Sequence, residues 1–293
     1  MNTVVPDARF TADWLGLREE QDRRSRSHRL TGLVADWLAA RPGVHGVVDL
    51  GSGSGSNLHF LAPRLPGPQR WRLVDHDPEL LVLARRRGAR LCDGAGARVT
   101  LATRCRDLAP VDDDLLAGVD LVAASALFDL VSRDWAEALV AACAARHQAL
   151  LVTLSVDGDW AFRDAAGERL DTAEDAAVRV LFRAHQRRDK GLGTALGAEA
   201  PAVLARAMRA AGYRVESAAT PWHLAAGVPA GRALATALVD GWYAAAREQA
   251  PAEGGRLAHW RERRLAGLAA GELGVTVGHR DLLALPEPPA GGR

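Results

Sequence analysis

The apolar residues Leu30, Leu33, Val34, Trp37 and Leu38 fall at i, i+3, i+4, i+7 and i+8, which predicts a helix with one buried face. Pro42-Gly43 predicts its end. Upstream, residues 14–28 are charged and helix-like, and Arg18, Asp22 and Arg26 recur every four residues, so they share a face and can pair. After Pro42-Gly43 the pattern shortens. Val47-Val48-Asp49-Leu50 is a brief apolar run that ends in a glycine-rich turn, followed by a predicted helix over 56–65 and the breaker Pro66-Gly67-Pro68. Residues 71–75 read as a second strand. Asp77-Pro78-Glu79 opens a helix with an N-cap acid, a proline in the first turn and an acid behind it. Residues 99–103 and 120–125 read as a third and a fourth strand, 134–147 as a helix and 149–155 as a fifth strand. Apolar strands alternating with helices at this spacing predict βαβ units and a parallel sheet covered on both faces.

Beyond residue 156 the rhythm changes. The sequence predicts a charged helix over 172–190, a glycine-rich loop over 191–197 and a helix over 200–211 stopped by Gly212. A sixth strand follows over 213–216, then a mostly helical stretch over 229–270. A late seventh strand at Val275-Thr276-Val277 is expected to pair back near the sixth. The expected organisation is an N-terminal helical segment (1–44) and one α/β domain (45–285) with helical insertions at about 158–212 and 229–270. A flexible proline-rich tail (286–293) closes the chain.

Composition narrows the class. With 293 residues and 48% hydrophobic content, the chain is too apolar to be disordered throughout. No stretch approaches the ~20 apolar residues of a membrane span. A net charge of +1 argues against nucleic acid as the main partner. Lys190 is the only lysine, and the wealth of Arg, Ala and Gly suits a GC-rich bacterial genome. Cys92, Cys105 and Cys143 are far apart and give no metal spacing, so no metal is expected, and reduced thiols fit a cytoplasmic setting. Residues 1–10 lack the basic start and apolar core of a signal peptide.

The stretch that carries chemistry is Asp49-Leu50-Gly51-Ser52-Gly53-Ser54-Gly55, a strand end, an acid and a Gly-x-Gly-x-Gly turn before a helix. Glycines let the backbone turn sharply and approach a ligand, and the helix start offers oriented N–H groups. A dinucleotide site needs Gly-x-Gly-x-x-Gly; here position 56 is Ser, and a carboxylate at Asp49 repels pyrophosphate but suits a cationic amino group. Asp75, at the end of the next strand, can accept from both hydroxyls of a ribose, and Asp107, after the third strand, can accept from an adenine amino group.

In order and spacing, 49–55, 73–78 and 106–108 resemble motifs I, II and III of the class I S-adenosylmethionine-dependent methyltransferases, and 120–125 resembles their fourth-motif strand. The resemblance covers residues ~45–156 well and the remainder by architecture only. It implies a Rossmann-like, seven-stranded, mostly parallel sheet of order 3-2-1-4-5-7-6, with strand seven antiparallel. It implies S-adenosylmethionine as cofactor, with Asp49, Gly51, Ser52, Gly53 and Gly55 around the methionine part and Asp75 on the ribose. His76, Asp107 and Leu108 would lie at the adenine, and Ser125 at the end of the fourth strand would border the site.

Methyl transfer is an in-line displacement that positioning alone can accelerate, so no obligatory catalytic signature exists to find. The Asn-Pro-Pro-Tyr type of motif is absent after the fourth strand, where the chain reads Ser125-Ala126-Leu127-Phe128-Asp129. With the neutral charge, this points to a small-molecule acceptor, its O or N undecided. Alternatives are transfer of another alkyl group, a cyclisation, or a non-catalytic relic of the fold.

Ligands of open parallel sheets sit beyond the carboxyl ends of the strands, which singles out Asp129 and Asp157 as catalytic candidates, Asp129 as a base or acceptor contact or else a structural acid, together with Asp159 and with Trp160 as a pocket wall. His185 and Lys190 lead into the glycine-rich loop, whose three glycines allow a mobile lid, and can bind an acidic acceptor; the other reading is a basic helix end with a glycine stop. Arg18, Asp22 and Arg26 either form a salt-bridged face or belong to a helix covering the cofactor. His279 and His223 read as packed or exposed rather than catalytic, and 85–87 and 261–264 as solvated arginine faces. Either an acceptor cap or a homodimer contact would suit 229–270.

Overall fold

The computed structural model describes residues 11–189 and 191–287. Two helices, α1 (Ala12–Ser25) and α2 (His28–Ala39), precede β1 (His45–Leu50). Then follow α3 (Ser56–Leu61), β2 (Gln69–Asp75), α4 (Pro78–Gly88), β3 (Thr100–Cys105), α5 (Asp113–Leu116), β4 (Leu121–Ser125), α6 (Arg133–Ala144) and β5 (Ala149–Arg163). The remainder comprises α7 (Ala173–Gln186), α8 (Ala200–Ala210), β6 (Tyr213–Ala219), β7 (Trp222–Leu224), α9 (Pro229–Gln249), α10 (Gly254–Ala270) and β8 (Gly274–Pro286). The sheet order is β3-β2-β1-β4-β5-β8-β6, with β7 also paired to β8. Strands β1 to β5 are mutually parallel, and β8 runs antiparallel to β5, β6 and β7. β8 occupies the place of the expected seventh strand, and β7 adds an eighth to the seven expected.

Alternation within the strands explains the two layers of helix. Val47, Leu121 and Leu151 pack with Leu30, Val34 and Leu38 of α2. Their neighbours Val48, Val122 and Val152 pack with Trp135 and Leu139 of α6 and Leu204 of α8. A strand buried on both faces must be apolar at successive positions, as these are.

The largest departure from the sequence reading lies at β5 and β8. Both are far longer than 149–155 and 275–277, because they pair with each other from Leu150↔Ala284 out to Arg163↔Gly274, with bulges near Ser155 and Val156. Residues 158–163 are therefore strand, and they carry a third core of their own. Trp160 and Phe162 meet Trp222, Trp242, Trp260, Val275 and Val277 there. Trp160 stacks on Trp242 at 4.0 Å between ring centroids, so it is a core side chain and not a pocket wall. Asp175 ties this core together. Its carboxylate accepts from Trp260 Nε1 at 2.8 Å and Arg264 Nε at 3.0 Å, and closes a capping box with Thr172. Arg264 is thus held inside, contrary to the solvated face expected over 261–264.

Among the described residues no helix is long and apolar enough to cross a membrane, and no cluster of His, Cys, Asp or Glu could hold a metal. Of the expected tail, Pro286 ends β8, and 288–293 lie outside the described residues, as do 1–10 and Lys190.

Candidate active site

Parallel pairing brings the carboxyl ends of β1, β2 and β4 to one rim. The turn after β1 has Gly51, Gly53 and Gly55 at φ of +63°, +51° and +83°. These lie in the left-handed region that side chains disfavour, which is why glycine alternates here. Asp75 locks the turn: its Oδ2 accepts from Gly53 N at 2.8 Å and its Oδ1 from Asp77 N at 3.0 Å. Asp77 in turn caps α4 by accepting from Glu79 N and Leu80 N. Each Asp75 oxygen retains a second lone pair for a ligand hydroxyl. His76 is exposed beside it, with Nδ1 at 3.6 Å from Asp75 Oδ1. Asp107 is exposed after β3 and Leu108 is buried next to it.

Asp49 is fully buried. Its Oδ1 accepts from Asn57 Nδ2 at 2.8 Å, while Oδ2 has no partner. Burial pushes its carboxyl up to about 7, against the opposing pull of Asn57 and Arg26. Ser52 Oγ is also buried without a partner.

Arg26, just past α1, is 2% exposed and donates through Nη2 to Ser125 Oγ at 3.0 Å. Its Nε and Nη1 are buried and unpartnered. Burial lowers its pKa, opposed by Asp22, Asp281 and Asp49. Asp22, 5% exposed, accepts from Arg18 Nε at 2.9 Å. The repeat of Arg18, Asp22 and Arg26 is thus the inner face of a helix that covers the rim.

Leu15 and Glu19 seat that helix on the turn. A Cβ on Gly53 would lie 3.1 Å from Leu15 Cδ1. Glu19 pairs with Arg87, and Arg87 reaches Ser54 O and Oγ at 3.3 Å. Arg87 therefore belongs to the site, although its run of arginines reads as a solvated face. Leu15, Glu19 and Arg87 went unpredicted because nothing local in the sequence couples α1 to α4.

The acceptor-side candidates are more scattered. Asp129 is half-buried in the turn after β4, and its carbonyl accepts from Gly197 N at 3.0 Å. Residues 191–197 are tied down rather than free. Asp189 Oδ1 accepts from Gly191 N and Gly193 N, and Leu196 N donates to Val131 O. Asp157 lies inside β5 at a bulge, not beyond a strand end, and its Oδ1 accepts from Asp159 N at 3.1 Å. His185 Nε2 lies 3.1 Å from Glu248 Oε2, which joins α7 to α9. The hydrogen bonds given above for Asp157 and His185 run to Asp159 and Glu248, whereas the turn that carries Asp129 adjoins the glycine turn: a Cβ on Gly51 would lie 3.1 Å from Leu127 Cδ1. A cleft of about 580 Å³ lined by Trp37, Arg41, His147 and Arg214 opens beside the amino end of β5, away from that turn.

Known structures can now be set beside this geometry. No family model matches the sequence, and no curated protein does. The chain is similar to a cyclopropane-fatty-acyl-phospholipid synthase-like protein from Lactobacillus casei, with TM-score 0.51, 13% identity and 94% of each chain covered. The chain has the class I methyltransferase fold. Two further similar structures are a SAM-dependent methyltransferase from Geobacter sulfurreducens in complex with S-adenosyl-L-homocysteine (TM-score 0.44, 18% identity, 94% of this chain and 99% of the other) and the cyclopropane synthase MmaA2 from Mycobacterium tuberculosis (0.48, 11%, 94% of each).

Proposed function

We propose that the protein is an S-adenosylmethionine-dependent methyltransferase acting on a small-molecule acceptor. The observation that carries this reading is a pair of opposite, buried and incompletely partnered charges at the glycine turn, Asp49 Oδ2 and Arg26 Nε and Nη1. Leaving such groups unpaired is costly. An amino-acid ligand end supplies both missing partners, an ammonium for Asp49 and a carboxylate for Arg26. Asp75 would hold the ribose hydroxyls, with His76, Asp107 and Leu108 around the adenine and Ser52 and the Gly51–Gly53 backbone along the methionine chain. Pyrophosphate offers no cation for Asp49, which disfavours a nicotinamide cofactor.

The cofactor, when bound, supplies an activated methyl group on sulfur. The chain's own residues orient it and exclude water: α1 covers the turn, and Arg26 stays fixed by Ser125. The free cysteines fit work in a reducing cytoplasm. Titration calorimetry with S-adenosylhomocysteine, with NADH as control, tests the reading. Micromolar binding, about −8 kcal/mol, to the first alone is expected, and absence of binding by folded protein overturns it.

A further inference from the structure

Next to the Arg26 site, where Ser27 joins α1 to β8, two ring nitrogens have no hydrogen-bond partner among the described residues, Trp222 Nε1 and His279 Nε2. Asp281 holds the α1–α2 junction by accepting from Ser27 N at 2.8 Å, and it accepts from Leu154 N at 2.7 Å. Two residues away, one step of strand alternation or roughly 7 Å, His279 lies on the same face. It is 3% exposed, and its ring makes one hydrogen bond among the described residues, Nδ1 to Val277 O at 3.0 Å. A carbonyl only accepts, so Nδ1 carries the proton and Nε2 presents a lone pair. Trp222 of β7 packs on His279 with ring centroids 4.7 Å apart, and its Nε1 is buried without a partner. Arg18, paired to Asp22, covers the Trp222 ring at 5.0 Å.

Resting on the methyltransferase reading above, we infer that Trp222 and His279 form the acceptor subsite and select a hydroxyl group, making the reaction an O-methylation with His279 Nε2 as proton acceptor. Trp222 offers a donor and His279 an acceptor. A hydroxyl oxygen has two lone pairs and a proton. One lone pair accepts from Trp222, the other attacks the methyl carbon, and the proton goes to His279. A neutral amine has a single lone pair, which cannot serve Trp222 and the methyl group together. In the transfer the O–CH₃ bond forms as the S–CH₃ bond breaks, sulfur keeps the electron pair and the O–H proton moves to Nε2. The sulfonium charge is lost as the imidazolium charge appears, so the charge of the enclosed site is conserved; burial, and Arg18 over Trp222 as the charged group that faces His279, keep the imidazole neutral before the step.

The test uses the full chain labelled with [¹⁵N]histidine and saturated with S-adenosylhomocysteine, and the matched probes phenol against aniline and catechol against 1,2-diaminobenzene. The His279 Nε2 signal is expected to be unprotonated and to move with the hydroxyl probes only. With S-adenosylmethionine, turnover of hydroxyl probes is expected to fall about 100-fold in kcat in His279→Gln, with S-adenosylhomocysteine affinity unchanged. Trp222→Phe is expected to raise KM about tenfold. A protonated Nε2, a signal moved by neither hydroxyl probe, methylation of the amines, or full kcat in His279→Gln overturns the inference. Failure of the wild type to bind S-adenosylhomocysteine overturns instead the reading on which it rests.

Discussion

Asp49 and Asp175 are both fully buried carboxylates, yet their surroundings drive them in opposite directions. Burial pushes both up. At Asp175, hydrogen bonds from Trp260, the Thr172 backbone and Arg264 outweigh burial, and the carboxyl lies below the usual carboxylate range. At Asp49 only Asn57 donates, one oxygen is empty, and the carboxyl stays near 7. Both oxygens of Asp175 are occupied from within the extension built on β5, β7 and β8, whereas at the rim of β1 and β4 Asp49 keeps one oxygen for a partner that another molecule can bring. Burial marks neither one as a site; the vacant hydrogen-bonding capacity does.

The contrast is broken most forcefully at Asp175. Asp175→Ala orphans the Trp260 and Arg264 donors and removes the α7 cap. We expect a loss of about 4 kcal/mol in urea unfolding, with S-adenosylhomocysteine affinity unchanged in protein that remains folded. Equal loss of affinity and stability would mean that the two regions are one cooperative site.

Asp49→Asn should do the reverse. Stability at pH 7 is expected to hold or rise, since an uncomfortable carboxylate is removed. S-adenosylhomocysteine binding should weaken by about 2 kcal/mol, the scale of one charged hydrogen bond. Asp75→Ala should cost tenfold or more in the same titration, because it removes the proposed ribose contact and frees Gly53 N. Unchanged affinity in both variants would remove the amino-acid end and the ribose from this rim.

The two regions also differ in how legible they are in the sequence. The glycine turn, Asp75 and the parallel strands are local patterns: a strand, a turn and a helix start within a few tens of residues. The extension of β5 depends on β8, more than 100 residues away, whose β-branched and apolar positions gain meaning only once paired. Short-range periodicity therefore ended the strand at 155 and assigned Trp160 to a pocket. Arg18, Asp22 and Arg26 were visible as one face, but which side of α1 is buried depends on α1 folding over the rim. His279 read as a packed or exposed side chain, because the unfilled Trp222 Nε1 beside it arises from β7–β8 pairing.

Titration separates the regions more finely. Asp49 binds its proton more tightly when folded than unfolded, so between about pH 4 and 7 it makes stability fall as pH rises, by up to ~1.4 kcal/mol per pH unit. His279 is the opposite case. Burial, and then Arg18, lower it to about 3, so the unfolded chain holds the proton and stability rises with pH up to about 6.5. The two slopes offset each other in the wild type. Relative to it, Asp49→Asn should steepen the gain of stability with pH by up to ~1.4 kcal/mol per unit across pH 4.5–6, and His279→Gln should shift the slope by as much in the other direction. Denaturant midpoints at four or five pH values measure this. Parallel profiles for all three proteins would show that neither group is held in an unfavourable protonation state.

The smallest expected effect concerns the cover between the regions. Glu19 and Arg87 are each part-exposed, so their pair contributes about 0.5 kcal/mol to stability at most. Arg87, however, also holds Ser54, while Leu15 lies against Gly53, so the pair joins α1 to the turn that the ligand would occupy. Loosening it should act on ligand escape more than on folding. Glu19→Gln is expected to speed S-adenosylhomocysteine release two- to threefold in stopped-flow displacement, about 0.5 kcal/mol on the barrier, with an unchanged unfolding midpoint. Salt should have the same effect on the wild type and little on the variant, since an exposed pair is screened at physiological ionic strength. A release rate indifferent to both Glu19 and salt would mean that α1 stays in place while the ligand leaves by another side. The contacts of Leu15 and Arg26 would then be what keeps the cover closed.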